Sequence, residues 1–463
     1  MHVQPVVTVA EMAAFDALAI EATSHDELIE AAGRAVAHEV SERFGPMIDR
    51  RIVVVAGKGS NGADGRVAAR LLAAEGAEVT TVEPSVSTED LVGAELVIDA
   101  AFGTGLARTF EAPMPPPSAI VVAVDLPSGV DADTGAVAGR AMAASVTVTM
   151  AARKVGLLLG EGRRLSGEVV VADIGITVHD TVCRLVGDED LDLLPRRGTD
   201  AHKWTTPVTV VAGAPGMEGA GALACLGAMR AGAGMVRLIH PVTPGSASVA
   251  WPLELVRRPV SMEALSLVTQ EETERSGALV VGPGLGSTPP AHAAVRQLLA
   301  ERRCPVVLDA DGLGAVGGVE GLAALVAARP SPVVITPHDG EMRRLLGAEV
   351  PGDRLGCALD VARRSGATVL LKGPTTIIAS SAGGPNSVLL VTSGTEALAT
   401  AGTGDVLSGV IAALIASGLE PLLAAGLAAH LHGRAGARFS GVLLASELPG
   451  LIGELIREVH RGR

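Results

Sequence analysis

The sequence predicts an α/β chain of two tandem domains, each a three-layer α/β/α arrangement with a parallel sheet between helices. Three observations lead there. Apolar strand-like runs alternate with helical patterns along the whole chain, as crossover helices covering both faces of a parallel sheet require. The alternation lapses once, in the acidic, Pro- and Arg-bearing stretch LVGDEDLDLLPRRGTDAHK, and then restarts. The length of 463 residues corresponds to two or three domains at roughly 150 residues each. The expected domains are therefore 1–195 and 196–463.

The chain is 48% hydrophobic and 2% aromatic, with 57 glycines and no tyrosine, so its cores must be built from Ala, Val and Leu. It carries 37 basic and 51 acidic residues, a net charge of −14. That excess disfavours nucleic acid, which needs concentrated positive charge. Only four of the basic residues are lysine: Lys58, Lys154, Lys203 and Lys372. All four fall in segments that matter below on other grounds, and arginine's flat fork does not replace a compact ammonium everywhere. The start, MHVQPVVTVAEMAAFDALAIEA, lacks the basic opening and unbroken apolar run of a signal peptide. The apolar stretch Gly409–Ala429 is cut by Ser417-Gly418 and Glu420-Pro421, so it reads as two buried helices and not as a membrane span. Four widely spaced cysteines read as small buried hydrophobes. A cytoplasmic protein with neither membrane nor nucleic-acid partner is expected.

The elements follow in order. Strands are expected at Arg51–Ala56, Glu78–Val82, Leu96–Asp99, Ile120–Asp125 and Ala144–Thr149. After the lapse they recur at Pro207–Ala212, Met235–Ile239, Ala278–Val281, Pro305–Leu308, Val333–Thr336 and Thr368–Leu371, the last with a hairpin to Ser387–Val391. The first strand runs into the loop GKGSNGADG, with a helix expected from Arg66 to Glu75. Gly57, Gly59 and Gly62 satisfy GxGxxG, and Glu83 follows the next strand, so a dinucleotide-binding dehydrogenase is one reading. Asp64 opposes it, because a carboxylate repels a pyrophosphate at a helix N-terminus. A tight turn with Asp64 as an N-cap is the plain structural alternative. Further strand ends add Asp99, Asp125 and Ser128 to the same edge, making an oxygen-rich pocket suited to a hard or alkali cation.

Together GKGSNGADG, VIDAAFGTGL, VAVDLPSGVDADTG and ARKVGLL resemble the epimerase domain of bifunctional NAD(P)H-hydrate repair enzymes, a Rossmann-like domain. The resemblance covers most of residues 1–180, including the opening TVAEMAAFDALAIEA helix. It implies interconversion of R and S hydrates of NADH and NADPH. By motif, Ser60, Asn61, Gly62, Ala63 and Asp64, with Gly103, Thr104, Gly105, Leu106, Ala107, Arg108 and Thr109, would line the hydrate site. Asn61, Asp99 and Ser128 would hold K⁺, Asp125 would touch the substrate, and Asp64 would handle a proton. The loop departs from the family at Ser60 and Ala63, where Asn and Gly are commoner.

The second half holds a stronger local signal, ATAGTGDVLSG over 399–409. Small residues allow consecutive N–H groups to converge, and a helix follows at once, which makes an anion site. Asp405 closes that nest, where a carboxylate can take a proton from a hydroxyl attacking phosphate; the alternative is a plain N-cap. The chain lacks GxxxxGK[ST], so it is not a P-loop NTPase. Strand ends contribute GPGLG, DAD, TPHDGE and KGPTT, with Lys372 as a point charge for phosphate. His338 in its Pro-His-x-Gly-Glu turn reads either as a cap or as a site residue.

These motifs, with GMEGAGALACLGAMRAGAGMV and LATAGTGDVLSGVIAAL, resemble the ribokinase-like superfamily and, within it, the ADP-dependent dehydratase of the same repair enzymes over about 195–440. The resemblance implies dehydration of the S hydrate with ADP converted to AMP and assistance from Mg²⁺. Asp405 would be catalytic. Lys372, Gly373, Pro374, Thr375, Thr376 and Gly404 would bind the nucleotide, and Ala220, Gly284, His338 and Asp405 the hydrate. Two departures stand out: Trp204 follows His202-Lys203 where Gly is usual, and Thr395-Glu396-Ala397 replaces Asn-Pro-Gly. A vitamin-precursor kinase, or a nucleotide-binding protein with partly lost catalysis, remain the other readings. The expected partners are NADHX, NADPHX and ADP, in a homo-oligomer.

Overall fold

The computed structural model describes residues 4–106, 108–243, 251–267, 275–439 and 441–462. The chain forms two compact units, Gln4–Cys183 and Arg184 onward.

In the first unit, β1 (Gln4–Val7) leads into α1 (Val9–Ala22) and α2 (His25–Phe44). Then come β2 (Arg51–Ala56), α3 (Ser60–Ala74), β3 (Glu78–Val82), β4 (Leu96–Ala100), β5 (Phe110–Glu111), β6 (Ile120–Val124), β7 (Gly139–Arg140), β8 (Val146–Met150), β9 (Arg153–Lys154), α4 (Gly160–Leu165) and β10 (Glu168–Ala172). Six strands form one all-parallel sheet in the order β10-β8-β6-β4-β2-β3. Its central strands are continuous apolar runs because both faces are covered. On one face Ile52, Val54, Leu96 and Ile98 pack against Ala32, Val36 and Val40 of α2 and Ala68 and Leu72 of α3. On the other, Val53, Val55, Val97 and Val121 pack with Phe110 and Met142. β2 has β3 on one side and β4 on the other, so the chain reverses direction across it. In such sheets the ligand crevice opens at the carboxyl ends of the strands flanking the reversal.

The second unit repeats that logic. β11 (Cys183–Leu185) lies at its start, followed by β12 (Pro207–Val211), α5 (Glu218–Arg230), β13 (Met235–Pro241), β14 (Val256–Val260), β15 (Ala278–Val281), β16 (Val306–Leu308), β17 (Val333–Ile335), β18 (Thr368–Leu371), β19 (Thr376–Ala379) and β20 (Val388–Val391). The order β14-β13-β12-β15-β16-β17-β18 is parallel, and β18-β19-β20 is antiparallel. The reversal point is β12, between β13 and β15. The apolar stretch near 409–429 is two buried helices, Thr403–Ala416 and Pro421–Ala437. Among the described residues no helix is long and apolar enough to cross a membrane, and the four cysteines are free.

Two expectations change. The division falls at 183/184 and not near 195. The acidic stretch that reads as a linker is a short 3₁₀ helix, Asp188–Leu193, whose charges have partners within the second unit. Asp188 meets His430 and Arg434, each at 2.9 Å, and Arg184 and Asp190 form a fully buried ion pair at 2.9 Å. Val186, Leu191 and Leu194 join the apolar core around the Thr403–Ala416 helix. The glycine loop also changes. Its residues from Ser60 onward are already helix, with Gly59 as the N-cap. Asp64 therefore lies inside the helix and caps nothing.

Removing one partner of a buried pair strands the other charge. Asp190→Ala should therefore lower the second unit's stability by about 3–5 kcal/mol, read as a fall in urea midpoint for that unit. An unchanged midpoint would show the pair to be energetically neutral.

Candidate active sites

The carboxyl ends of β2 and β4 open into a cavity of about 480 Å³ in the first unit. Its walls include Ser60, Asn61 and Asp64 of α3, Gly103, Thr104, Gly105 and Leu106 after β4, and Asp125 after β6. Of the other residues expected there, Gly62 and Ala63 are in α3 but do not line the cavity, and neither do Arg108 and Thr109. Arg108 stacks over the Phe102 ring. Ala107 lies outside the described residues. Gly62 has its own reason to be glycine: a Cβ there would strike the Gly57 carbonyl.

Charge inside this cavity is unequally matched. Lys154, almost fully buried, places Nζ 2.5 Å from Asp125 Oδ1, and it also donates to Thr149 Oγ1 at 3.1 Å and the Met150 carbonyl at 2.8 Å. Asp125 holds its position with φ +67°, in the left-handed region, which Asp tolerates better than most side chains. Asp64 has no such cation to itself. Burial, then the nearby charges of Asp125 and Asp16, push its carboxyl up to about 8, with Lys154 opposing.

Asp99 and Ser128 do not line the cavity and are fully buried. Ser128 donates its N–H to Asp99 Oδ2 at 2.8 Å and its hydroxyl to Oδ1 at 2.6 Å, while accepting from the Phe102 N–H at 2.9 Å. Burial raises Asp99 above the usual carboxylate range, these hydrogen bonds only partly opposing. Asn61 stands close by Gly103, and both of its amide atoms are buried without a hydrogen-bond partner.

In the second unit the expected residues gather along the carboxyl ends of the sheet. Gly284, at φ +59°, brings the loop after β15 so close to α5 that a Cβ would meet Met217 and Ala220. The N–H groups of Gly213 and Ala214 donate to the carbonyls of Pro283 and Gly284, at 2.9 and 2.7 Å, tying together the loops on either side of the reversal point. The nest opens at Gly402, whose φ of +92° and contacts with Leu223 and Ala445 leave no room for a side chain. Gly402 is the N-cap and Asp405 lies in the first turn of the helix, so Asp405 is not a cap. Lys372, at the end of β18, reaches this turn: Nζ stands 3.2 Å from where a Cβ on Gly404 would lie. It is simultaneously paired with Asp309 at 2.8 Å, while the Ser408 hydroxyl donates to the other Asp309 oxygen. Gly373, Pro374 and Thr375 form the β18–β19 turn, and Thr376 opens β19.

Burial, then the Asp309 charge, push Asp405 up to about 7 against the pull of Lys372. Burial would also raise Asp309, but Lys372 and the hydrogen bonds from Lys372 and Ser408 outweigh it and hold that carboxyl low. One carboxylate is thus permanently charged to seat the lysine, and its neighbour is poised near neutrality. His338 is a helix cap: its Nδ1 accepts from Gly340 N–H at 3.0 Å, in a capping box with Glu341, and its ring stays about half exposed at the end of β17. Trp204 lies under Arg237, Arg275 and Lys203, with Arg237 4.7 Å from the ring centre.

Sequence reasoning missed four functional candidates. Asp16 and His25 line the first cavity from α1 and α2, and Lys154 was noted as a motif residue without a role. Only the Met12, Asp16, Ile20 spacing, one polar residue in an apolar helix stripe, could have indicated Asp16. His432, fully buried on the Pro421–Ala437 helix, donates Nε2–H to the Thr403 carbonyl at 2.9 Å and so holds the first turn of the nest helix. Burial drives its pKa down to about 4, keeping it neutral.

Two α/β units, one with an acid-walled cavity and one with an anion nest ahead of a poised carboxylate, define a tandem small-molecule enzyme. Residues 208–457 match the family described as NAD(P)H-hydrate dehydratase, and 25–92 with 81–156 match that described as YjeF-related protein N-terminus. The chain is 36% identical to the bifunctional NAD(P)H-hydrate repair enzyme Nnr of Salinibacter ruber, over 98% of this chain and 96% of that protein. It is 33% identical to that of Escherichia coli, over 83% and 80%. The ADP/ATP-dependent NAD(P)H-hydrate dehydratase of Bacillus subtilis, co-crystallised with ATP/Mg²⁺, is 30% identical and superposes with a TM-score of 0.50 over 59% of this chain and 97% of its own. A ribokinase-like protein of Enterococcus faecalis, 22% identical with a TM-score of 0.52 over 61% and 98%, shares the fold. The chain belongs to the family of bifunctional NAD(P)H-hydrate repair enzymes.

In carbon-13 NMR of aspartate-labelled protein, two carboxyls should titrate near 8 and near 7. Asp64→Asn should remove the first and Asp405→Asn the second. Ordinary carboxylate titration of both would contradict the electrostatics described above.

Proposed function

We propose that this chain repairs NADHX and NADPHX, the first unit interconverting their R and S forms and the second dehydrating the S form. The carrying observation is the pairing of Asp405, poised near neutrality, with a nest that Lys372 faces. A carboxyl of this kind can take the proton from the ring hydroxyl as its oxygen attacks the β-phosphorus of ADP. AMP then leaves, and the phosphorylated ring loses phosphate together with a neighbouring proton to restore the dihydronicotinamide. The nest N–H groups and the helix dipole stabilise charge on the transferred phosphoryl group, and Lys372, seated by Asp309, adds a fixed positive charge. Lys372–Thr376 and Gly404 are assigned to the nucleotide, and Ala220, Gly284 and His338 to the hydrate. His338 Nδ1 caps its helix and Nε2 lies 3.5 Å from Glu341 Oε1, so it would meet the hydrate with its half-exposed ring and not with an unpartnered nitrogen.

Mg²⁺ is assigned to the nucleotide phosphates. Among the described residues no group of three or more His, Cys, Asp or Glu could hold a metal ion, so the residues present do not make a dedicated Mg²⁺ centre. K⁺ is assigned to Asn61, Asp99 and Ser128, an assignment supported by a buried carboxylate that accepts hydrogen bonds from Ser128 and not from a cation, and by an Asn61 amide buried without a partner. A bound K⁺ would supply the missing charge and an electrostatic anchor for the substrate. Around it, Asp125 contacts the hydrate, Lys154 fixes Asp125, and Asp64 handles a proton.

Mixed R/S hydrate incubated with ADP and Mg²⁺ should recover the full dihydronicotinamide absorbance. Recovery of only the S share would restrict the proposal to the second unit, apart from slow uncatalysed epimerisation, and no recovery would refute it. Dehydration should rise with pH to a plateau above about 7, as Asp405 loses its proton, and Asp405→Asn should cost at least about 100-fold. The same variant should be more stable than the parent at pH 8. A carboxyl whose pKa is raised by folding loses stability as pH climbs from its unfolded value through the folded one.

A further inference from the structure

We propose that Asp16 is a second proton-handling residue of the first unit, acting on the face of the hydrate ring that Asp64 does not serve. The inference deepens the epimerase reading and rests on it.

The argument begins with helix α1. Met12, Asp16 and Ile20, spaced at i, i+4 and i+8, all line the cavity, so they form a single stripe. A stripe made for packing would be apolar throughout, because a half-buried carboxylate without a partner costs free energy. Asp16 makes no hydrogen bond or ion pair among the described residues. Its helix is nevertheless firmly placed. Thr8 and Glu11 form a capping box, the Val9 N–H donates to Asp133 Oδ1 at 2.8 Å, and the Val182 N–H donates to Glu11 Oε1 at 2.8 Å. Asp16 is therefore held at the cavity by anchors that serve the helix and not its own side chain.

The charged and titratable groups facing the cavity are Asp16, Asp64, Asp125, Lys154 and His25. Lys154 is committed to Asp125, Thr149 and the Met150 carbonyl, and His25 Nε2 lies 3.1 Å from Ser60 Oγ. Asp16 and Asp64 are left as two carboxyls in one cavity, from different helices, and the Asp16 charge disfavours ionisation of Asp64. Burial and the Asp125 charge raise Asp16 too, with Lys154 and His25 opposing. Such a pair favours a state in which one member keeps a proton.

Inversion at a single carbon needs that state. The carbon bearing the hydroxyl is bonded to the ring nitrogen. A carboxylic acid on one face gives its proton to the hydroxyl, the C–O bond breaks, water leaves, and the nitrogen lone pair forms a C=N bond. Water then adds to the opposite face of the planar C=N unit and gives a proton to the carboxylate there. One proton is consumed and one is returned, so the step balances without a further reactant. Acid and base exchange identities at each turnover, as a reaction that runs in both directions requires.

The test uses the full chain, whose second unit provides an internal control. Asp16→Asn should lower epimerisation at least about 100-fold, leave ADP-dependent dehydration of the S form unchanged, and abolish one limb of the epimerisation pH profile. Asp16→Glu, which keeps a carboxyl, should retain at least a tenth of the parental rate. The proposal is overturned if Asp16→Asn epimerises at the parental rate, or if the Glu and Asn variants are equally impaired. A parent protein that does not epimerise would instead refute the epimerase reading itself.

Discussion

Both units depend on one topological constraint, the reversal of the chain across the first strand of each parallel sheet. A sheet that starts at β2 or β12, grows to one side and then returns to grow on the other cannot cover the carboxyl ends of the strands at the turning point. Helices leave that point in opposite directions, so the loops there diverge and a crevice is left. Asn61 and Asp64 after β2, Gly103–Leu106 after β4, Ala220 after β12 and Gly284 after β15 stand on such loops or on the helix that follows them, while Asp125, Asp309, His338 and Lys372 stand at the carboxyl ends of strands farther along the same edges. The apolar runs buried on both faces keep those strand ends rigid, and loop chemistry can differ between the units without disturbing either sheet.

On the proposed function the two crevices face opposite electrostatic demands. The second would attract phosphate with few cations, through backbone N–H groups, a helix dipole and Lys372, the last made dependable by Asp309, a buried carboxylate held in its charged form. The first would accommodate a neutral ring among carboxyls. It has one ammonium, already bound to Asp125, so Asp64 is raised by burial and by the charges of Asp125 and Asp16, and Asp16 by burial and the charge of Asp125. Burial of a carboxyl is outweighed at Asp309, which Lys372 touches, and prevails at Asp64 and Asp405, which no lysine among the described residues touches. Two of the four lysines thus sit at candidate sites as compact ammonium groups, Lys154 on Asp125, Thr149 and the Met150 carbonyl, and Lys372 on Asp309.

The departures from the family pattern look different in three dimensions. Trp204, in place of a glycine, is overlain by three cations, an arrangement that stabilises the loop bearing His202 and Lys203. The Thr395-Glu396-Ala397 stretch, which lacks the family's Asn-Pro-Gly, is flanked on both sides by contacts with the neighbouring helix. Gly433 lets that helix approach the Ser393–Gly394 backbone, Ser393 donates to the His430 carbonyl, and His432 bonds Thr403 just beyond.

Strand positions, the two sheets, the buried double helix near 409–429 and the loops at the strand ends were legible because they rest on local rules: apolar runs for doubly covered strands, glycines for tight approaches, small residues for a nest. Asp64, Asp125, Lys372 and Asp405 could be singled out because each sits in a short motif. The seam between the units was misjudged because the charges of DEDLDL look solvent-bound until His430 and Arg434, more than 200 residues away, are seen beside Asp188. The start of α3 was placed late because glycine-rich sequence has weak helix propensity, and packing against α2 overrides it. By itself the sequence determined the family and the loops at the strand ends on which the proposed chemistry rests. Only the tertiary structure decided which carboxyl has a lysine and which does not, and which residue of α1 completes the first cavity. Those outcomes depend on burial and on distances between residues far apart in the chain, and no local pattern encodes them.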